Sequence, residues 1–224
     1  MNLDPIQTTA EFPHLAAMAA EPFEARGILH SEMALIVAVC AAAGVEVVIE
    51  SGRARGQSTY MLAKYLPNAI IHSVELRKDE DAAFAERRLR SMRNVHLYYG
   101  NGIIVVPDLC RKFRLARTAV ILDGPKGNAA LDVLAQCEDA TIGFVHDMRA
   151  LDHGKPSPYR AEAERRYPGN RAFYSDHPDY VAATSWMDTA CAASSDWEPG
   201  KFHQPNGTIE ELGSYGPTVG VFWL

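Results

Sequence analysis

A doubly wound, mostly parallel α/β sheet is the fold class that the sequence predicts. Five short runs rich in β-branched residues alternate with helix-like segments between Val45 and Met148, and that alternation is the pattern of βαβ units. The first run, "VEVVIES", ends in a turn carrying Gly52 and Gly56, where a strand must bend sharply into a helix. A length of 224 residues with 47% hydrophobic and 22% charged content supports one sizeable core and is short for two domains.

The elements follow in order. An apolar helix is expected from about Ser31 to Ala43, with Ser31 as its cap and Gly44 as its stop. "GQSTYMLAKYL" reads as a helix ended by Pro67-Asn68, and "AIIHSVEL" as the second strand. A charged helix follows from about Asp79 to Met92, then the third strand "NVHLYYG". "GIIVVPDLCRKF" reads as a helix interrupted early by Pro107, and "TAVILDG" as the fourth strand. "GNAALDVLAQCE" is the next helix and "TIGFVHDM" the fifth strand. Right-handed crossovers then place helices on both faces.

Beyond Asp147 the alternation breaks. "RALDHGKPSPYR" reads as a loop, "AEAERRYP" as a short helix, and "RAFYS" and "TVGVFWL" as strands. Between them, Asp176 to Gly216 reads as an irregular, loop-rich cap carrying Trp186 and Trp197. A single domain results: a helical lead over 1–44, a core over 45–148, and a cap with the final strands over 149–224. The cap is expected to choose the substrate and to order when it binds.

Composition excludes several classes. A net charge of −6 argues against a nucleic-acid binder, and Arg87, Arg88, Arg90 and Arg93 read as a solvated helix face. Cys40, Cys110, Cys137 and Cys191 contain no CxxC pair, so no zinc site is suggested, and Cys40 and Cys137 read as buried thiols. The N-terminus lacks a basic leader, and the run from Met33 to Val45 is too short to cross a bilayer. The expectation is a cytoplasmic protein with a small-molecule partner, no nucleic acid and no membrane. A homodimer is compatible with the chain.

In an open α/β sheet, ligands bind outside the carboxyl ends of the strands. Those ends carry Glu50, Glu75, Asn101, Asp123, and His146 with Asp147. Any one of them is as readily a turn former or helix cap; their convergence on one edge is the argument. The glycine spacing is GxxxG, not the GxGxxG of the common dinucleotide fingerprint. Tyr60 and Lys64 make a Tyr-x-x-x-Lys pair, but it falls inside the first helix after the loop, away from the strand ends. Glu75 closes the second strand 19 residues after Gly56, the spacing at which an acid takes both hydroxyls of a ribose.

At these residues, over roughly Ile28 to Met148, the sequence resembles the class I S-adenosylmethionine-dependent methyltransferases. The resemblance rests on the E-x-G-x-x-x-G loop, the acid after the second strand and the order of elements. It implies a Rossmann-like methyltransferase fold with S-adenosylmethionine as cofactor. Glu50 and Gly52 would line its methionine end, with Gly56 and Ser58 in the same loop and helix start. Glu75 would bind the ribose, and Asn101 would stand near the adenine, where many members carry Asp.

"LDGPKG" is similar to the Asp-x-x-Lys segment of small-molecule O-methyltransferases of the catechol type, and macrocin-type enzymes have a comparable "DGD". The resemblance implies that Asp123 binds a divalent cation such as Mg²⁺, with Asp147 as a second carboxylate, and that Lys126 deprotonates the acceptor hydroxyl. Met148 departs from the pattern, standing where the catechol type has an Asn ligand. His146 beside these acids suits Mn²⁺, Zn²⁺ or Fe²⁺ as a ligand, or serves as a metal-free base. His30, Asp152-His153 and the aromatic "YSDHPDY" are weaker candidates. The reading is an S-adenosylmethionine-dependent O-methyltransferase. A nicotinamide-dependent oxidoreductase and a non-catalytic methyltransferase-like binding protein are the alternatives.

Overall fold

A computed structural model describes residues 3–24, 27–152, 154–194, 198–203, 209–211 and 213–224. Two short helices, α1 (Pro5–Ala10) and α2 (Leu15–Ala19), precede α3 (His30–Ala42). The βα units are β1 (Val47–Ser51), α4 (Gln57–Tyr65), β2 (Ile70–Glu75), α5 (Glu80–Leu89), β3 (Val95–Tyr99), α6 (Gly102–Lys112), β4 (Thr118–Leu122), α7 (Asn128–Ala135) and β5 (Ile142–Val145). A small hairpin, β6 (Leu151–Asp152) and β7 (Lys155–Pro156), leads to α8 (Pro158–Arg166) and β8 (Ala172–Tyr174). Then come α9 (Pro178–Thr184), a 3-10 turn over Ser185–Asp188, α10 (Thr189–Ser194), the hairpin β9 (Lys201–His203) with β10 (Ile209–Glu211), and β11 (Gly220–Trp223).

The main sheet has the order β3-β2-β1-β4-β5-β11-β8. Strands β1 to β5 are parallel, and β11 is inserted antiparallel to both β5 and β8. The chain leaves β1 in one direction and returns in the other at β4, so the crevice for a ligand lies above that junction. Alternation along β1 builds a core on each face. Val48 packs with α3 and α4, near Met33, Ile36, Met61 and Leu62. Val47 and Ile49 point the other way, toward Val106, Leu109, Leu131 and Leu134 of α6 and α7. Helix α3 is apolar all round because it is buried from His30 to Cys40, a helix inside the protein rather than on it.

Two sequence expectations need correction. Helix α6 runs unbroken through Pro107; Pro107 is buried against the sheet, so packing offsets the one backbone hydrogen bond that proline forfeits. The stretch from Asp176 to Gly216 is not a loop-rich cap over its described residues. It holds α9, the 3-10 turn, α10 and the β9–β10 hairpin, with Tyr180, Met187 and Cys191 buried. The Tyr180 hydroxyl donates to the Ser31 carbonyl at 2.7 Å, so α9 is packed on α3. Trp197, His153 and the side chain of Asp152 lie outside the described residues.

The clamp between this segment and α3 is pH-sensitive. Buried Asp188 accepts from the Ser31 backbone N–H at 2.9 Å and from its hydroxyl at 2.6 Å. Burial pushes its carboxyl up from 3.8 to about 6. A raised carboxyl stabilises the fold fully below its unfolded value, and that stability is lost as pH rises through the folded value. The window is therefore about 3.8 to 6. As pH falls from 7 to 4, wild type is expected to gain about 2 kcal/mol relative to Asp188→Asn. Denaturant melts of both proteins across that range measure the difference; a constant gap would refute the assignment.

Candidate active site

The edge of the crevice is set by close backbone contact. Gly52, directly after β1, has a φ of +98°, and a Cβ there would lie 2.4 Å from the Gly124 nitrogen. The β1 and β4 turns therefore touch main chain to main chain, and the Ser51 carbonyl accepts from the Asp123 and Gly124 amides at 2.8 Å each. Gly102 lets α6 begin against the same turn, since its Cβ would meet the Ser51 hydroxyl at 2.2 Å. No larger residue fits either position without moving the edge.

Above this junction lies a cleft of about 390 Å³ lined by Gly52, Glu75, Leu76, Asn101, Ile103 and Pro125, among others. Glu75 stands at its wall, where its oxygens accept from the Ala54 and Leu76 amides at 2.8 and 2.7 Å. These bonds hold the carboxylate in place while each oxygen keeps a lone pair for a further donor. Asn101 caps α6 by accepting from the Ile103 amide at 3.0 Å, which leaves its NH₂ group as the donor it can offer. Leu76 and Ile103 are exposed apolar side chains at the mouth.

Glu50, Gly56 and Ser58 do not line that cleft. The Glu50 carboxylate is 1% exposed and lies beneath the loop, accepting from the hydroxyls of Ser58 at 2.5 Å, Ser73 at 2.6 Å and Thr59. Burial pushes this carboxyl up despite the three donors. Gly56 faces α5, where a Cβ would meet Ala85 at 3.0 Å and Leu89 at 3.2 Å, so its smallness serves helix packing. In this structure Glu50 anchors the loop from beneath and Gly56 packs against α5. Ser58 gives its hydroxyl to Glu50 but borders a second, water-sized cavity of about 20 Å³ with Gly27, Ile28, Gly52 and Asp123. The helical lead closes that cavity, pinned where the Gln57 side-chain oxygen Oε1 accepts from the Glu24 amide at 2.5 Å.

Asp123, Lys126, His146 and Asp147 do meet. The Lys126 ammonium lies between the two aspartates, bonded to Asp123 and 2.5 Å from Asp147. His146 Nδ1 is 2.9 Å from Asp123 and 3.4 Å from Asp147. The Asp147 backbone is left-handed, with φ at +61°, a region that Asp enters more readily than most non-glycine residues. Burial would raise the Asp123 carboxyl, but His146 and Lys126 outweigh it and hold it well below the carboxylate range. Burial would lower His146 and Lys126, yet the facing acids raise both, keeping imidazolium and ammonium protonated.

One residue of this group escaped the sequence reading. Glu32 of α3, 2% exposed, reaches His146 Nε2 at 3.3 Å from the side opposite the aspartates. Its other oxygen accepts from the Thr218 amide at 2.8 Å. The available signal was an acid at the start of an otherwise apolar buried helix. Both ring nitrogens of His146 face acids, and those acids hold its imidazole well above the ordinary histidine value despite burial. Lys126, about half exposed along its side chain, is the group that can exchange protons with solvent. Among the other candidates, His30 is buried against Phe23, and Lys64 pairs with Glu21 at 2.5 Å, away from the cleft.

The donor set fits the divalent cation that the catechol-type resemblance implies. One ligand atom from each of Asp123, His146 and Asp147 lies within 4.8 Å of the others, near the spread that bonds of about 2.0–2.2 Å to one ion require. Met148 is fully buried in the core and supplies no oxygen.

The sheet order and flanking helices are those of the Rossmann-like class I methyltransferase fold. More particularly, the chain superposes on a methyltransferase from Geobacter sulfurreducens with a TM-score of 0.52 and 14% identity, over 100% of this chain and 89% of that one. It also superposes on the O-methyltransferase from Bacillus cereus, solved with S-adenosylhomocysteine, with a TM-score of 0.51 and 12% identity, over 97% and 91% of the two chains. No protein-family model matches the sequence, and no curated protein matches it significantly. Among the described residues, no helix is long and apolar enough to cross a membrane.

Proposed function

We propose that the protein transfers a methyl group from S-adenosylmethionine to a hydroxyl of a small molecule. The observation that carries this reading is the placement of Glu75 in the cleft beside Gly52, with the Asp123–Lys126–Asp147 group on the same edge. A ribose donates two hydroxyls, and Glu75 is held ready to accept both. Asn101, Leu76 and Ile103 supply a polar donor and apolar walls for a flat heterocycle. The methionine tail enters past Gly52 toward Ser58, which requires the lead at Glu24 and Ile28 to give way over the small cavity.

Methyl transfer is an in-line displacement at a sulfonium, so the acceptor oxygen must be aligned with the methyl group and lose its proton. Asp123 and Asp147 orient the acceptor, and Lys126, once it has released its own proton to solvent, receives the acceptor's proton. A divalent cation held by Asp123, Asp147 and His146 would supply charge that lowers the pKa of a bound hydroxyl and of the neighbouring ammonium. The size of the cleft, about 390 Å³, supports a small acceptor.

Titration calorimetry with S-adenosylhomocysteine tests the reading. Truncating Glu75 removes the acceptors of two ribose hydroxyls, for about 1–3 kcal/mol, so Glu75→Ala should bind roughly ten-fold or more weakly. Unchanged affinity would remove Glu75 from the site. Binding of NAD in place of S-adenosylhomocysteine would favour the oxidoreductase alternative.

A further inference from the structure

We propose that His146 is itself a metal ligand, positioned by Glu32, and that the site therefore takes a borderline transition ion such as Mn²⁺, Fe²⁺, Co²⁺ or Zn²⁺ in preference to Mg²⁺. The inference uses the same aspartates as the methyl-transfer reading but does not depend on methyl transfer.

Three features of the chain converge on it. First, the imidazole is placed from behind. A histidine that ligates a metal commonly gives its other ring N–H to a carboxylate, which fixes the tautomer and aims the free nitrogen at the ion. Glu32 stands in that relation to Nε2 at 3.3 Å. Its own position is fixed by the Leu29 amide at 3.3 Å and the Thr218 amide at 2.8 Å, and both Glu32 and His146 are buried. A carboxylate so enclosed, and donated to by two separate backbone segments, is an orienting device.

Second, Nδ1 is aimed into the gap between the aspartates, 2.9 Å from Asp123 and 3.4 Å from Asp147. The backbone of Asp147 is left-handed beside that gap, and a conformation of this kind in a non-glycine residue is kept where the surroundings require it. Third, Met148 withdraws from the position following Asp147 into the core, so the third protein ligand has to come from elsewhere. Two oxygens and one imidazole nitrogen suit transition ions, whereas Mg²⁺ favours an all-oxygen octahedron. On binding, the ion replaces the proton on Nδ1 and displaces the Lys126 ammonium from between the carboxylates; the imidazole proton leaves to buffer.

The test uses the full chain after dialysis against chelator, with Mn²⁺ as the probe. Electron paramagnetic resonance should show one saturable site, and spin-echo modulation should show coupling to a single directly bound ¹⁴N nucleus. Mg²⁺ should compete only at a roughly ten-fold or greater excess. His146→Gln should abolish the ¹⁴N coupling and weaken Mn²⁺ by at least ten-fold, and Glu32→Gln should weaken it by roughly ten-fold while keeping the coupling. Saturable Mn²⁺ binding without ¹⁴N coupling, absence of saturable binding, or unchanged affinity in His146→Gln would each overturn the proposal. The wild-type spectrum decides alone if a variant fails to fold. Calorimetry with S-adenosylhomocysteine on the same samples separates the two readings: cofactor binding without nitrogen coupling sinks only this one.

Discussion

Lys126→Met is expected to lower the rate of methyl transfer at least about a hundred-fold while leaving S-adenosylhomocysteine affinity within about two-fold, the range that loss of a positioned proton acceptor spans. The ammonium sits on Asp123 and Asp147 and is absent from the lining of the cofactor cleft, so the two readouts separate. Methionine keeps the length and apolar stem of lysine but cannot carry a proton. The fold should tolerate the change because His146 still faces both aspartates. Release of S-adenosylhomocysteine, measured against a panel of hydroxylated small molecules, gives the rate. Full turnover of any acceptor by the variant would remove Lys126 from the reaction.

Glu50→Ala is expected to cost about 3–5 kcal/mol of stability, the range for removing one partner of a buried charged network. Three hydroxyls, those of Ser58, Thr59 and Ser73, would lose their common acceptor. The guanidinium of Arg53, itself 1% exposed and held by the Ser73 carbonyl at 2.7 Å, would lose the nearby acid. At roughly 2–4 °C per kcal/mol for a chain of this size, the melting temperature should fall by on the order of 10 °C. Glu50→Gln, which keeps an acceptor oxygen, should recover part of the loss. Thermal melts of the two variants decide it. A loss below about 1 kcal/mol would mean that the hydroxyls find other partners.

The sheet was legible in the sequence because its central strands β1, β4 and β5 are buried on both faces, and burial leaves a continuous apolar run such as "TAVIL". The segment from Asp176 to Gly216 was not. Its helices α9 and α10 have seven and six residues, too few for an apolar periodicity to emerge, and what orders them is contact with α3 rather than local propensity. Pro107 misled for a related reason: its local cost is visible in sequence, but the packing that offsets it is not.

The site divides along the same line. Asp123, Lys126 and Asp147 were readable because the ends of parallel strands face the crevice whatever else happens. Glu50 also ends a strand, but only the positions of Ser58, Thr59 and Ser73 show that its carboxylate turns beneath the loop. Glu32 was unreadable as a partner of His146, since 114 positions separate them and only the docking of α3 beside β5 brings them together.

The two oxygens of Glu32 tie together the earliest long helix, the end of the fifth strand through His146, and the late turn at Thr218. During synthesis on a ribosome, α3 and His146 emerge well before Thr218 does. Until that late turn docks, the carboxylate has one fewer restraint and the imidazole is aimed less firmly. The nascent chain can thus assemble most of its sheet before the Asp123–His146–Asp147 group is fully oriented.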